Sequence, residues 1–229
     1  MSQTTYNCSD CYNGTCRTEN GVVECPHWNL PMPNEKCPLK AREWADRLRK
    51  AGIFERYCRA NFNILKPRPG QDVGAFNAVK EYAETGKYTE ENLILKGHVG
   101  TGKTTLAVAV LQHALEHKTG GLFLTVASLL DNIFTLKASN MEEWVKYERA
   151  LKDAGLLVLD DVGYEHSEGW VLTKLDAIIS ERYNRCKPIV MTTNLTTEQL
   201  RGRYSQHILD RLRESAVTVN MTGRSLRAS

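Results

Sequence analysis

The order of glycine, lysine and threonine in Gly97-His98-Val99-Gly100-Thr101-Gly102-Lys103-Thr104 matches G-x-x-x-x-G-K-[ST], the pattern of a loop that holds polyphosphate. Its glycines let the backbone curl until successive N–H groups face one concavity, and a following helix aims its positive end at the same point. Lys103 adds a mobile cation for the β and γ phosphates of ATP, and the Thr104 hydroxyl is placed to complete the coordination of Mg2+. The run Leu156-Leu157-Val158-Leu159 then delivers two carboxylates, with Asp160 expected to hold Mg2+ and Asp161 to polarise an attacking water. Alone, such an acidic pair also suits a turn or a helix cap; a phosphate loop upstream makes it chemistry. The nucleotide contacts expected are Gly97, His98, Val99, Gly100, Thr101, Gly102, Lys103, Thr104, Thr105 and Asp160.

A phosphate loop works only between a strand and a helix, and the flanking sequence offers an apolar run at 93–96 and helical spacing over 103–117. Further apolar runs at 121–126, 156–159 and 188–192 alternate with helical stretches at 129–152 and 168–185. This alternation predicts an α/β fold, a parallel sheet with flanking helices. The runs are continuous because central parallel strands are buried on both faces. Thr196 and Gln199 form a capping box that starts a last helix, and residues 216–219 supply a final strand. Upstream, Trp44, Leu48, Ala51 and Phe54 recur at helical spacing within an amphipathic helix expected over 40–57. Lys66-Pro67-Arg68-Pro69-Gly70 breaks the chain before a second helix over 73–85.

The 229 residues, 41% of them hydrophobic, allow one well-buried core plus a small appendage rather than two full domains. No apolar run reaches the roughly 18 residues of a membrane span. Residues 1–13 have no secretory pattern, so the expected location is the cytoplasm, bacterial or that of a phage-infected host. The net charge of +3 is too small to indicate a nucleic-acid partner. Its distribution is uneven, with Arg201, Arg203, Arg211, Arg213, Arg224 and Arg227 against Asp210 and Glu214, which also suits a solvated basic face.

Four of the seven cysteines, Cys8, Cys11, Cys16 and Cys25, crowd the N-terminal segment, with His27 close behind. In a reducing compartment such clustering points to Zn2+ rather than disulfides. Cys8 and Cys11 form a tight knuckle, Cys25 is a third ligand, and the fourth is Cys16 or His27. Metal would supply the folding energy that this apolar-poor segment lacks; free thiols are the alternative. Cys37, Cys58 and Cys186 read as small structural hydrophobes.

Met191-Thr192-Thr193-Asn194-Leu195, preceded by Glu181-Arg182-Tyr183 and followed by Leu209-Asp210-Arg211-Leu212-Arg213 and Gly223-Arg224-Ser225-Leu226-Arg227, resembles the AAA+ ATPases of the DnaC/DnaI helicase-loader and IstB transposition-helper group. The resemblance runs over roughly residues 51–227 and includes the P-loop NTPase motif. It implies that the Asn194 strand lies between the phosphate-loop strand and the Asp160 strand, with Asn194 at the γ-phosphate. It further implies that Arg211 is a finger toward a neighbouring subunit's nucleotide and Arg227 a second sensor arginine. The catalytic set is then Lys103, Asp161, Asn194, Arg211 and Arg227. The implied organisation is a Cys-rich zinc module at 1–37, a helical linker at 38–70 and an AAA+ domain at 71–229. By the same resemblance the partners are a replicative DNA helicase, single-stranded DNA near residues 123–137, and further copies of the chain in the ATP state. Hydrolysis would be slow, because Asp161 stands where a glutamate is common and no broad helical lid follows. Alternatives are an IstB-like ATPase regulating a transposase, a nucleotide-gated binding module without turnover, and a small-molecule kinase, against which Thr193-Asn194 argues.

Overall fold

Strands that are apolar at every position need cover on both faces, and the computed structural model supplies it. The structure describes residues 15–18, 21–24, 38–163 and 169–227. The chain divides into two compact units, Met1–Lys50 and Ala51–Ser229. The smaller contains the antiparallel pair β1 (Thr15–Thr18) and β2 (Gly21–Glu24), with Cys16 opposite Val23, and the helix α1 (Pro38–Lys50).

The larger unit runs α2 (Val73–Glu84), β3 (Asn92–Gly97), α3 (Lys103–Glu116), β4 (Gly121–Thr125), α4 (Val126–Ser139), α5 (Met141–Asp153) and β5 (Leu156–Asp160). It continues with α6 (Gly169–Asn184), β6 (Ile189–Thr193), α7 (Thr197–Arg203), α8 (Gln206–Arg213) and β7 (Ala216–Met221). All five strands are parallel, in the order β4-β5-β6-β3-β7. β6 therefore separates β3 from β5, as the resemblance implied. The carboxyl ends of these three strands stand side by side and place Gly97, Asn194 and Asp160 along one edge.

β5 and β6 are buried along their whole length. On one face lies α3, with α2 packed against it. Leu106, Ala107, Val108, Ala109, Val110 and Leu111 are all 0% exposed, so α3 is apolar all round and enclosed rather than amphipathic. The opposite face is a cluster joining Leu157, Leu159, Ile189 and Met191 to Leu129 and Ile133 of α4, Trp144 and Leu151 of α5, Leu175, Ile178 and Ile179 of α6, and Ile208, Leu209 and Leu212 of α8. Burial of each such side chain contributes about 1.5–3 kcal/mol relative to exposure.

Several boundaries differ from the sequence expectation for local reasons. The helix expected over 40–57 ends at Lys50, because Gly52 at φ 76° turns the chain left-handed, and a 3-10 turn follows at Glu55–Tyr57. A Cβ at Gly52 would stand 2.5 Å from the Phe123 carbonyl oxygen. The helical segments expected across 129–152 are α4 and α5, divided where Asn140 ends the first and caps the second by accepting from the Glu143 N–H at 3.1 Å. The capping box of Thr196 and Gln199 starts α7, but Ser205 then caps a separate α8. Among the described residues no helix is long and apolar enough to cross a membrane.

Candidate nucleotide site

Gly97 ends β3 and Lys103 opens α3, so the loop between them bends back on itself within five residues. Gly97, Gly100 and Gly102 take φ of 152°, 88° and 95°, values that L side chains rarely adopt. At Gly100 a Cβ would also lie 2.1 Å from Ser225 Oγ and 3.0 Å from its Cβ, so a side chain there would have to displace the Ser225 segment. Gly102 is the N-cap of α3 and offers no side-chain acceptor to the first-turn amides, which intrahelical bonding also leaves unpartnered. These amides and the helix dipole face a cleft of about 400 Å3 lined by Gly100, Gly102, Lys103, Thr104 and Thr105.

Lys103 is 5% exposed, and its Nζ donates to the carbonyls of Gly97 and His98, both at 2.7 Å. Burial lowers its pKa, while the nearby Asp161 and Asp160 carboxylates favour its charged form. Asp160 is oriented at both oxygens. Thr192 Oγ1 donates to Oδ1 at 2.7 Å, and Thr104 Oγ1 donates to Oδ2 at 3.2 Å. Burial pushes this carboxyl above its ordinary range, with the two threonine hydrogen bonds and Lys103 opposing the shift and Asp161 adding to it. Thr104, which lines the cleft, and Asp160, buried behind it, thus meet as hard oxygen donors, a donor set that fits Mg2+ with phosphate and water completing the shell. Asp161 adopts φ 56°, is exposed, and lines the cleft.

Asn194 and Arg227 line the same cleft. Arg227 arrives there because the C-terminal segment is laced to the 70–72 turn and to the loop. Thr222 N–H and hydroxyl donate to Asp72 Oδ2 at 3.2 and 2.7 Å, Arg224 N–H donates to Gly70 O at 2.9 Å, and Leu226 N–H donates to Gly100 O at 2.8 Å. Gly97, His98 and Thr101 belong to the loop but not to the cleft lining; Gly97 and His98 line an adjoining cavity of about 420 Å3 with Lys96, Asn194 and Asn220. Thr101 is buried, its hydroxyl donating to the His98 carbonyl at 3.0 Å. Arg211 lies elsewhere, on α8, where its Nη1 pairs with Asp176 at 3.2 Å and with Ser180 of α6. Cys8, Cys11, Cys25 and His27 fall outside the described residues, and Cys16 is described only as a position in β1.

Sequence reasoning missed one wall of the cleft. Tyr57, Ala60 and Leu65 give it an apolar side, and Arg56, Arg59, Lys66 and Arg68 a basic one. The available signal is the density of basic residues around Lys66-Pro67-Arg68-Pro69, a stretch whose prolines and glycine signal only a chain break. Thr192 was also missed as a partner of both acids.

A parallel sheet with a glycine-rich loop entering a helix, faced by an acidic strand end, defines a P-loop nucleotide-binding protein. The chain belongs to the family of IstB-like ATP binding proteins, whose model matches residues 35–229. It is similar to the replicative helicase loader DnaC of Buchnera aphidicola subsp. Acyrthosiphon pisum, 26% identical over 177 residues that cover 76% of this chain and 71% of that protein. DnaC of Escherichia coli is 23% identical over 72% of this chain and 67% of its own length. A crystal structure of the DnaC helicase loader superposes with a TM-score of 0.64 at 25% identity, covering 73% of this chain and 99% of that one. The crystal structure of DnaI shares the fold, with a TM-score of 0.61 at 22% identity, covering 74% and 95%.

Proposed function

We propose that the protein binds and slowly hydrolyses ATP as a loader that places a replicative helicase on single-stranded DNA. The observation that carries the ATPase part of this reading is the convergence of Lys103, Thr104, Asp161 and Asn194 on one cleft, with Asp160 bonded to Thr104 behind it; similarity to the DnaC helicase loader supports the loader part. In this mechanism the loop amides and Lys103 neutralise the phosphates, and Thr104 and Asp160 would hold Mg2+. The metal, when bound, offsets charge on the phosphate oxygens. Asp161 orients water and accepts its proton as the water oxygen bonds to the γ phosphorus and ADP leaves. Asn194 and Arg227 steady the γ-phosphate side within the protomer, while Arg211 serves a neighbouring protomer's nucleotide. The proposed organisation is an N-terminal module at 1–37, a linker at 38–70 whose 56–68 stretch also walls the cleft, and an ATPase domain at 71–229. In the module, Cys8, Cys11, Cys25 and either Cys16 or His27 would hold zinc, and the metal would fold the segment into a docking device for the helicase.

The test measures binding of a fluorescent ATP analogue and phosphate release, with and without single-stranded DNA. Lys103→Ala is expected to lose nucleotide binding, and Asp161→Asn to bind normally with turnover down roughly 100-fold or more. No turnover by the wild type under any condition would leave only a nucleotide-gated binding module. The second reading is an IstB-like ATPase that regulates a transposase, in keeping with membership of the IstB-like ATP binding family. Affinity capture on the full chain, compared with a Cys8→Ser/Cys11→Ser variant, separates the two: a transposase recovered in place of a helicase would reverse the ranking.

A further inference from the structure

β6 ends in two threonines that are both 0% exposed, after Ile189, Val190 and Met191 fill the strand's other positions with hydrocarbon. Packing alone would be met by valine, which has the same shape as threonine, so the hydroxyls call for a reason. Each is committed to the acidic loop or to the turn facing it. Thr193 Oγ1 donates to the Val162 carbonyl at 2.6 Å and accepts from the Leu195 N–H at 3.1 Å, tying the turn that bears Asn194 to the loop after β5. Thr192 Oγ1 donates to Asp160 Oδ1 at 2.7 Å and accepts from the Asp161 N–H at 3.0 Å. The Thr192 carbonyl accepts from the Val162 N–H at 2.9 Å, so its residue grips three successive positions of that loop.

We propose that Thr192 is a positioning residue for both acids of the site: one buried hydroxyl fixes the orientation of the Asp160 carboxylate and the left-handed turn that carries Asp161 into the cleft. The assignment rests on the ATPase reading above. Asp160 has its two oxygens held by different threonines, Thr192 and Thr104, so losing one donor frees the carboxylate to rotate about the other. Asp161 at φ 56° occupies a backbone state that aspartate tolerates but does not prefer. Its N–H is anchored by the same oxygen. A hydroxyl that both donates and accepts is needed for this double grip, and among side chains of this size only serine and threonine supply one.

The experiment uses the full chain as wild type, Thr192→Val, Thr192→Ala and Thr192→Ser, each checked for folding by circular dichroism. Turnover is measured against Mg2+ concentration, nucleotide affinity with EDTA present, and hydrogen exchange at the Asp161 amide. Removing the hydroxyl is expected to lower kcat roughly 10- to 100-fold and raise the Mg2+ needed for half-maximal rate about fivefold, because a small misplacement of reacting groups is enough to cost that much. Affinity in EDTA should stay within about twofold, and the Asp161 amide should exchange at least about tenfold faster, having lost its buried acceptor. Thr192→Ser should restore kcat, Mg2+ dependence and protection together. Unchanged kcat and Mg2+ dependence in Thr192→Val, or a Thr192→Ser variant as impaired as Thr192→Val, would overturn the assignment. Failure of both Val and Ala variants to fold, with Ser folding, would assign the hydroxyl to stability and overturn it too. A wild type without MgATP turnover removes the ATPase reading and this assignment together, whereas an active wild type with an unaffected Thr192→Val removes only this one.

Discussion

Glu116 closes α3 with a carboxyl withdrawn from water. One of its oxygens is buried without a hydrogen-bond partner, while Asn63 bonds to the group and His117 lies near. Burial pushes its pKa up to about 7 from 4.5, against the opposing pull of His117 and Asn63. Between those two values the folded protein keeps a proton that the unfolded chain has released, so stability falls as pH rises through the window. Below it the penalty is absent, and above it fully present. Glu116→Gln should therefore raise the melting temperature at pH 8, by roughly 2–6 °C, and leave it unchanged at pH 4. Equal shifts in thermal melts at both values would mean that protonation is not the cause. Glu116 also illustrates which residues a sequence exposes. Lys103 and Thr104 are legible because their chemistry depends on neighbours within eight positions, and Asp160 and Asp161 because an apolar run announces a buried strand end. Glu116 reads as an ordinary helix-surface acid until the fold brings Asn63 onto it. Thr192 reads as one more β-branched strand residue, since its partners stand 31 and 32 positions away in sequence.

At the scale of elements, Arg182 joins pieces that the sheet alone leaves loose. It lies in α6 at 0% exposure, with Nη1 donating to the carbonyls of Leu151 and Ala154, both at 2.8 Å, and Nη2 to that of Pro188 at 2.8 Å. The guanidinium thus caps the end of α5 and anchors the entry to β6, while burial lowers its pKa to about 10, leaving it charged at neutral pH. Arg182→Met keeps the apolar stem but strips three carbonyls of their donors. The expected loss is on the order of 3 kcal/mol, read from urea unfolding, with Arg182→Lys recovering only part because one ammonium cannot span the same fork. A loss below about 1 kcal/mol would show that water takes over the carbonyls. The strand and helix alternation was legible because continuous apolar runs and helical periodicity are local signals. Where elements stop was less so. Helical spacing continued past Lys50 through Phe54, yet Gly52 turns left-handed against the Phe123 carbonyl, a contact made with β4 far along the chain.

For the whole molecule, the position of Arg211 bears on whether one protomer is a complete enzyme. Lys103, Asp161, Asn194 and Arg227 line the cleft, whereas Arg211 is held on the flank of α6 by Asp176 and Ser180. If Arg211 acts on a neighbour's nucleotide, each protomer carries one half of two different sites, and hydrolysis follows assembly rather than binding. Arg211→Ala should then bind the fluorescent ATP analogue within about twofold of wild type but lose turnover by roughly 100-fold or more. Mixing distinguishes a shared site from simple damage. Lys103→Ala has no working nucleotide site of its own yet carries an intact Arg211, so adding it to Arg211→Ala should recover a fraction of the lost phosphate release. That recovery should grow with total protein concentration and vanish in Lys103→Ala/Arg211→Ala mixed with Arg211→Ala. Turnover by Arg211→Ala equal to wild type, or no recovery at any mixing ratio, would place Arg211 outside the hydrolytic machinery and leave its pairing with Asp176 as a link between α6 and α8.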